Sequence, residues 1–105
     1  LYLGHIRDAL GRIQRSAAAG HDAFLKSEEK QDAIVHNLEI IGEATKKMSD
    51  GTKKKAPQIP WREIAGMRDK IVHDYAGIRL DLVWTVVEKD LPILQKAIDT
   101  LLRRK

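Results

Sequence analysis

Apolar residues recur at three- and four-residue spacing along nearly the whole chain, as in helices that each turn one face to a core. Leu3, Ile6, Leu10, Ile13 and Ala17 form the first stripe, and Gly20 stops it. Residues 21–27 read as a loop. Ser27 is suited to N-cap a second helix, although Lys30 stands where a capping box would want glutamate. Ile34, Leu38, Ile41 and Met48 line one face of that helix. Ser49-Asp50-Gly51 ends it, with Gly51 suited to the left-handed C′ position.

Residues 52–60 hold a lysine run and both Pro57 and Pro60, which predicts the longest loop of the chain. Pro60 pre-sets the backbone for a new helix start. A third helix is expected from Trp61 to about Tyr75, with Ile64, Met67 and Ile71 in phase and Gly77 at its exit. The last segment repeats the pattern at Leu80, Val83, Val87, Leu91, Leu94, Ile98 and Leu101. Asp90 followed by Pro92 predicts either a newly capped helix or a kink, because proline breaks an interior hydrogen bond. Leu82, Val86, Ile93 and Ala97 give this segment a second apolar line, as in a central bundle helix or a subunit interface. No strand pattern, repeat or low-complexity tract is present. The expectation is an all-α bundle of four main helices with the last kinked or split, in one domain spanning residues 1–105.

Composition changes this picture little. Apolar residues make up 43% and charged residues 32%, ordinary for a folded soluble domain. No run approaches the ~20 apolar residues of a membrane helix, and the first residues carry no signal-peptide pattern, so no membrane association is expected. Leu1 in place of an initiating Met implies that a few residues precede it. The absence of cysteine excludes disulfides, thiolate zinc sites and a cysteine nucleophile, and fits a cytoplasmic protein. Lys and Arg outnumber Asp and Glu by 19 to 15, for a net charge of +4. The excess gathers in Lys53-Lys54-Lys55 and Arg103-Arg104-Lys105. Such a balance permits a polyanionic partner such as RNA but equally describes solvated ends.

The chemistry-bearing stretch is Trp61-Arg-Glu-Ile-Ala-Gly-Met-Arg68-Asp-Lys-Ile-Val-His73-Asp-Tyr75. On a helix, Arg68 and Tyr75 share a stripe with Ile64 and Ile71. An arginine there must be paired or open onto a polar cleft. His73 lies roughly 140° further round an ideal helix, so the two converge only if the helix ends near His73 or a second protomer supplies the facing half. Histidine passes protons near neutral pH, and arginine stabilises charge on a phosphoryl transition state. Together, without a metal, they suit RNA cleavage by internal attack of the 2′-hydroxyl, with His73 as general base or acid and Arg68 on the scissile phosphate. Spacing alone does not separate that chemistry from a structural salt bridge.

The segment Arg68-Asp-Lys-Ile-Val-His73-Asp-Tyr75 resembles the R-x4-H-x-Y signature of the HepT-like branch of the HEPN superfamily. The flanking blocks are similar to the same family, in the same order. They are Asn37-Leu38-Glu39-Ile40-Ile41-Gly42-Glu43-Ala44, Pro60-Trp61-Arg62-Glu63-Ile64-Ala65-Gly66-Met67, and Val83-Trp84 followed by Asp90-Leu91-Pro92. The resemblance implies a HEPN bundle that dimerises so that two signatures share a cleft. It also implies a metal-independent endoribonuclease toxin, without a cofactor, in which Arg68 and His73 are the catalytic pair. The implied partner is a nucleotidyltransferase-fold, MntA-like antitoxin of a type VII-like toxin–antitoxin pair, which transfers AMP onto Tyr75. A bulky anionic adduct beside Arg68 would fill the phosphate site and repel RNA. The rival expectation is a non-catalytic HEPN module, an interaction or nucleotide-binding subunit for a nucleotidyltransferase. A DNA-binding regulator is weaker still, because no helix-turn-helix is evident.

Other residues are ambiguous. Asn37, on the apolar face of the second helix, either hydrogen-bonds within the core or lines the cleft. Asp74 is also a candidate lining residue, placed either to orient His73 or to repel substrate. Glu39 and Glu43 stand at a metal-ligand spacing, but Glu43 with Lys47 reads better as a surface pair. Asp69 and His73 share that spacing without a second such pair, so no metal site is expected. His5, His21 and His36 lack any motif. Trp61 and Trp84 could stack on bases but sit where packing would use them. Gly42 and Gly66, inside expected helices, point to close helix crossings.

Overall fold

The computed structural model describes residues 2–67 and 80–103. Every regular element among them is helical. Helix α1 spans Tyr2–Ala17, α2 His21–Lys26, α3 Glu28–Lys47, α4 Asp50–Lys54 and α5 Trp61–Ala65. Beyond residue 79 come α6, Leu80–Thr85, a π-helical stretch, Val86–Asp90, and α7, Leu91–Arg103.

The two first stripes meet as expected. α1 buries Leu3, Ile6, Ala9, Leu10 and Ile13, and it packs chiefly against α3, which buries Ile34, Val35, Leu38 and Ile41. α7 lies against α1 and closes the core with Leu91, Leu94, Ala97, Ile98 and Leu101. At the α1–α2 junction Gly20 takes a φ of 94°, a left-handed conformation that costs a side-chain-bearing residue most.

Residues 21–26 of the expected loop are helical. They fold as α2 because Phe24 is fully buried and packs at 5.2 Å from the ring of Trp84. Six residues are too few to be helical on propensity alone, so packing must hold this turn. Gln31 ties its end down, donating from Nε2 to the carbonyls of Phe24 and Leu25. Ser27 does cap α3: its Oγ accepts from the Lys30 amide at 3.1 Å.

The α3 exit also differs from expectation. α3 ends at Lys47, with the buried Met48 extended behind it. Ser49 then caps a new helix, its Oγ accepting from the Thr52 amide at 3.1 Å. Gly51 lies in the first turn of that helix, α4, rather than in a left-handed cap, and the lysine run forms its C-terminal end. Cations there suit the negative pole of the helix dipole. The predicted loop shrinks to residues 55–60.

The last segment is split, as the Pro92 signal suggests. The chain does not break. It widens into the π-helical stretch, in which the Leu91 amide donates to the carbonyl of Val86, five residues back. A wider turn admits the proline ring, which has no N–H to give. The second apolar line divides: Ala97 joins the core, Leu82 and Val86 are half-buried, and Ile93 is 58% exposed.

Candidate active site

Arg68, His73, Asp74 and Tyr75 lie outside the described residues, as do Asp69, Ile71 and Gly77. What the structure gives is the scaffold that leads into the signature and receives the chain after it. Trp61 opens α5, and its indole Nε1 donates to the carbonyls of Lys53, at 3.0 Å, and Ala56, at 3.1 Å. This one ring therefore pins α4 and the following loop to the start of α5, a packing role and not a base-stacking one. At the other end of α5, a Cβ added to Gly42 of α3 would lie 3.4 Å from the Ile64 carbonyl oxygen and 3.5 Å from that of Ala65. The crossing inferred for Gly42 is therefore real. Gly66 differs from expectation: it is the C-cap of α5, with φ −92° and ψ 8°, so the helix expected from Trp61 to about Tyr75 is interrupted there, and its course beyond Met67 lies outside the described residues. Met67, immediately before Arg68, is buried in the core, and Leu80, on the far side of the signature, packs partly buried against it. Both ends of the signature-bearing stretch are thus anchored on core residues.

Beside Met67 a cleft of about 350 Å³ opens between α5 and the π stretch with α7. Among the described residues Ile59, Ile64, Val86 and Ile93 give it an apolar lining, and Glu63 and Asp90 are its charged members. A second groove, about 460 Å³, lies between the loop of residues 55–60 and α7, with Lys55 and Lys96 beside Thr100. Its charge has the sign that attracts polyanions.

Asn37 is the one candidate site residue within the described part. It is 5% exposed, in the seam between α1 and α3. Its Nδ2 donates to the Ala33 carbonyl at 2.8 Å, and its Oδ1 accepts from Nε of Arg12 at 2.7 Å. Sequence reading overlooked Arg12. The two residues stand 25 apart and no spacing rule links them; only the α1–α3 pairing does.

Among the described residues no group of three or more His, Asp or Glu side chains could hold a metal. Glu43 does make a surface pair, though with Lys46 at 3.7 Å rather than with Lys47. His21 stacks on the half-buried Trp84 at 5.1 Å, and His5 meets Tyr2 edge-on at 5.9 Å. Among the same residues no helix is long and apolar enough to cross a membrane.

The family model described as Ribonuclease HepT-like matches residues 6–101. The chain belongs to the HepT-like family of the HEPN superfamily. It is 36% identical to a protein of Caldanaerobacter subterraneus named "Putative RNase", over 99% of this chain and 94% of that one. It is 38% identical to the "Probable ribonuclease HepT" of Thermococcus cleftensis, over 95% of this chain and 92% of that protein. A third relative, from Methanocaldococcus jannaschii, is named "Gamma-glutamylcyclotransferase and putative RNase"; it is 39% identical over 93% of this chain, which spans only 45% of its length. No solved structure matches the chain. The match reaches from α1 to α7, and the described residues within it have only helical elements.

Proposed function

We propose that this HepT-like chain is a metal-independent endoribonuclease, a toxin of a type VII-like toxin–antitoxin pair, working as a cytoplasmic homodimer with Arg68 and His73 as its catalytic pair. The observation that carries the reading is the R-x4-H-x-Y sequence, Arg68 to Tyr75, in a chain of the HepT-like family. One domain spanning residues 1–105 would hold one copy of the signature, and two protomers would bring two copies to a shared cleft.

In this scheme the 2′-hydroxyl attacks the adjacent phosphorus. An O–P bond forms, the bond to the 5′-oxygen breaks, and the products are a 2′,3′-cyclic phosphate and a free 5′-hydroxyl. His73 takes the proton from the attacking oxygen or returns one to the leaving oxygen, a role to which an imidazole is suited. Arg68 holds the non-bridging oxygens through its planar fork and stabilises the charge that builds there. The reaction changes no oxidation state and needs no added nucleophile; the proton transfer that His73 does not make is left to water or to the partner protomer's copy of the signature.

Regulation follows from the same residues. A nucleotidyltransferase-fold antitoxin that transfers AMP to the Tyr75 hydroxyl would set an anionic, bulky group beside Arg68 and compete with RNA for it. The basic pair Lys55 and Lys96 and the net charge of +4 support a polyanionic substrate. The exposed Ile93, with Leu82 and Val86, offers apolar surface on the last segment for a second protomer.

The test is incubation of unmodified, antitoxin-free protein with total RNA in EDTA, beside Arg68→Ala and His73→Ala. Cleavage by the parent, abolished by both substitutions in folded variants, is the expected result. Intact RNA with the parent, or cleavage unchanged in both variants, moves the weight to a non-catalytic HEPN module.

A further inference from the structure

Arg12 has an unusual partner. Asp8 precedes it by four residues on α1, the spacing at which an acid and a base pair on a helix surface. Asp8 instead meets Arg7 at 3.4 Å, and both are more than half exposed. Arg12 turns to the neutral amide of Asn37, to which its Nε donates at 2.7 Å. Asn37 is itself locked by burial and by its bond to the Ala33 carbonyl. Among the described residues no carboxylate pairs with Arg12.

The choice of partner has a chemical consequence. A carboxylate would hold the guanidinium and cancel its charge; an amide oxygen holds it and leaves the charge whole. Fixing Nε fixes the plane of the group, because the guanidinium is rigid. The two terminal nitrogens, with four N–H bonds between them, are then presented as a fork from an exposed residue. Such a fork matches two oxygens of a phosphate. Its ordering cost is met in the free protein, which is what preorganisation means for a binding group.

We propose that Arg12 is an RNA-contacting residue that binds a backbone phosphodiester, with Asn37 as the positioning residue that aims it. The proposal rests on the ribonuclease reading above. It adds a contact on α1, outside the Arg68–Tyr75 signature, and gives Asn37 a role in substrate binding without direct contact to RNA.

The experiment measures binding of a fluorescein-labelled single-stranded RNA in EDTA over a series of NaCl concentrations. The parent is His73→Ala, which keeps the RNA intact. Arg12→Ala would leave the buried Asn37 Oδ1 without a donor and could fail to fold, so the informative variants are Arg12→Gln and Arg12→Lys. Glutamine keeps a donor for Asn37 and loses the charge; lysine keeps the charge and loses the fork. Thermal melts confirm that each is folded. Arg12→Gln is expected to weaken binding about tenfold and to make the log–log salt dependence shallower by about 0.7 for each phosphate that is no longer neutralised. Arg12→Lys should keep the parent's salt slope. Asn37→Ala should keep the slope while affinity falls severalfold, a split that a merely structural role would not produce. Parent affinity and slope in Arg12→Gln would overturn the proposal and leave the ribonuclease reading standing. Failure of the parent to bind RNA at any salt would sink both.

Discussion

The α1–α3 seam and the α5–α7 side of the molecule are built on opposite terms. In the seam, Ile6, Ile13, Ile34 and Ile41 are essentially without solvent contact, and the two polar residues that α3 buries are satisfied: Asn37 has both its amide atoms hydrogen-bonded, and the Thr45 hydroxyl donates to the Ile41 carbonyl at 2.8 Å. On the other side, the helix widens into a π stretch, Ile93 stands 58% exposed, and an apolar cleft of about 350 Å³ remains. The first region spends its sequence on one well-packed arrangement. The second carries helix interruptions at Gly66 and Val86–Asp90 on either side of the stretch that bears the signature. Finished packing gives a frame, and the interruptions fall where the family's chemistry is expected. π-helical turns often mark functional positions, and here one lies between α6 and α7, against the cleft beside Met67.

The largest effect should come from the seam's neighbour α2. Phe24→Ala removes a fully buried ring that also packs on Trp84 and is expected to cost about 3–5 kcal/mol. A chemical-denaturation midpoint would show it. A drop under about 1 kcal/mol would mean that α2 is an ornament on the bundle. Next, Trp61→Phe keeps most of the ring but deletes the donor shared by the Lys53 and Ala56 carbonyls, at about 1–2 kcal/mol. Faster amide exchange in residues 53–56 would locate the damage. Ser27→Ala should cost about 1 kcal/mol by removing the cap of α3, visible as a drop in melting temperature. Smallest is Ile93→Ala, within about 0.5 kcal/mol for the isolated protomer because the side chain is largely solvated. Light scattering sharpens that case: a shift from dimer to monomer would assign the α7 face to the subunit contact, and an unchanged mass would separate the two.

Long stripes were legible because burial has a period. α1, α3 and α7 bury most of the residues that their spacing nominates, with Ala17 only partly buried and Ile93 exposed, and Ser27, Gly20 and Pro92 act as punctuation for reasons local to those residues. Short elements were not legible. α2 and α4, six and five residues long, are under two turns each, too short for a stripe to accumulate; α2 depends on the packing of Phe24 on Trp84, and α4 on its Ser49 cap. Ser49 opens α4 by accepting from the Thr52 backbone amide, whereas Ser49-Asp50-Gly51 reads in the sequence as the end of the preceding helix. Gly66 shows the limit of glycine as a sign: close crossing and helix termination both favour it, and only position separates them. For the site, the sequence held the signature and Asn37, while the Arg12 partner needed the fold, since a hydrogen bond between helices has no spacing to read.

The most direct measurement asks whether the 2′-hydroxyl is the nucleophile. Unmodified protein, held in EDTA, is given an RNA oligonucleotide and its fully 2′-O-methylated counterpart, with His73→Ala as the control. The account predicts that the parent cuts only the unmodified strand, leaving a 2′,3′-cyclic phosphate and a 5′-hydroxyl, and that His73→Ala cuts neither. Cleavage of the methylated strand, or of RNA by the His73 variant at the parent's rate, would contradict it.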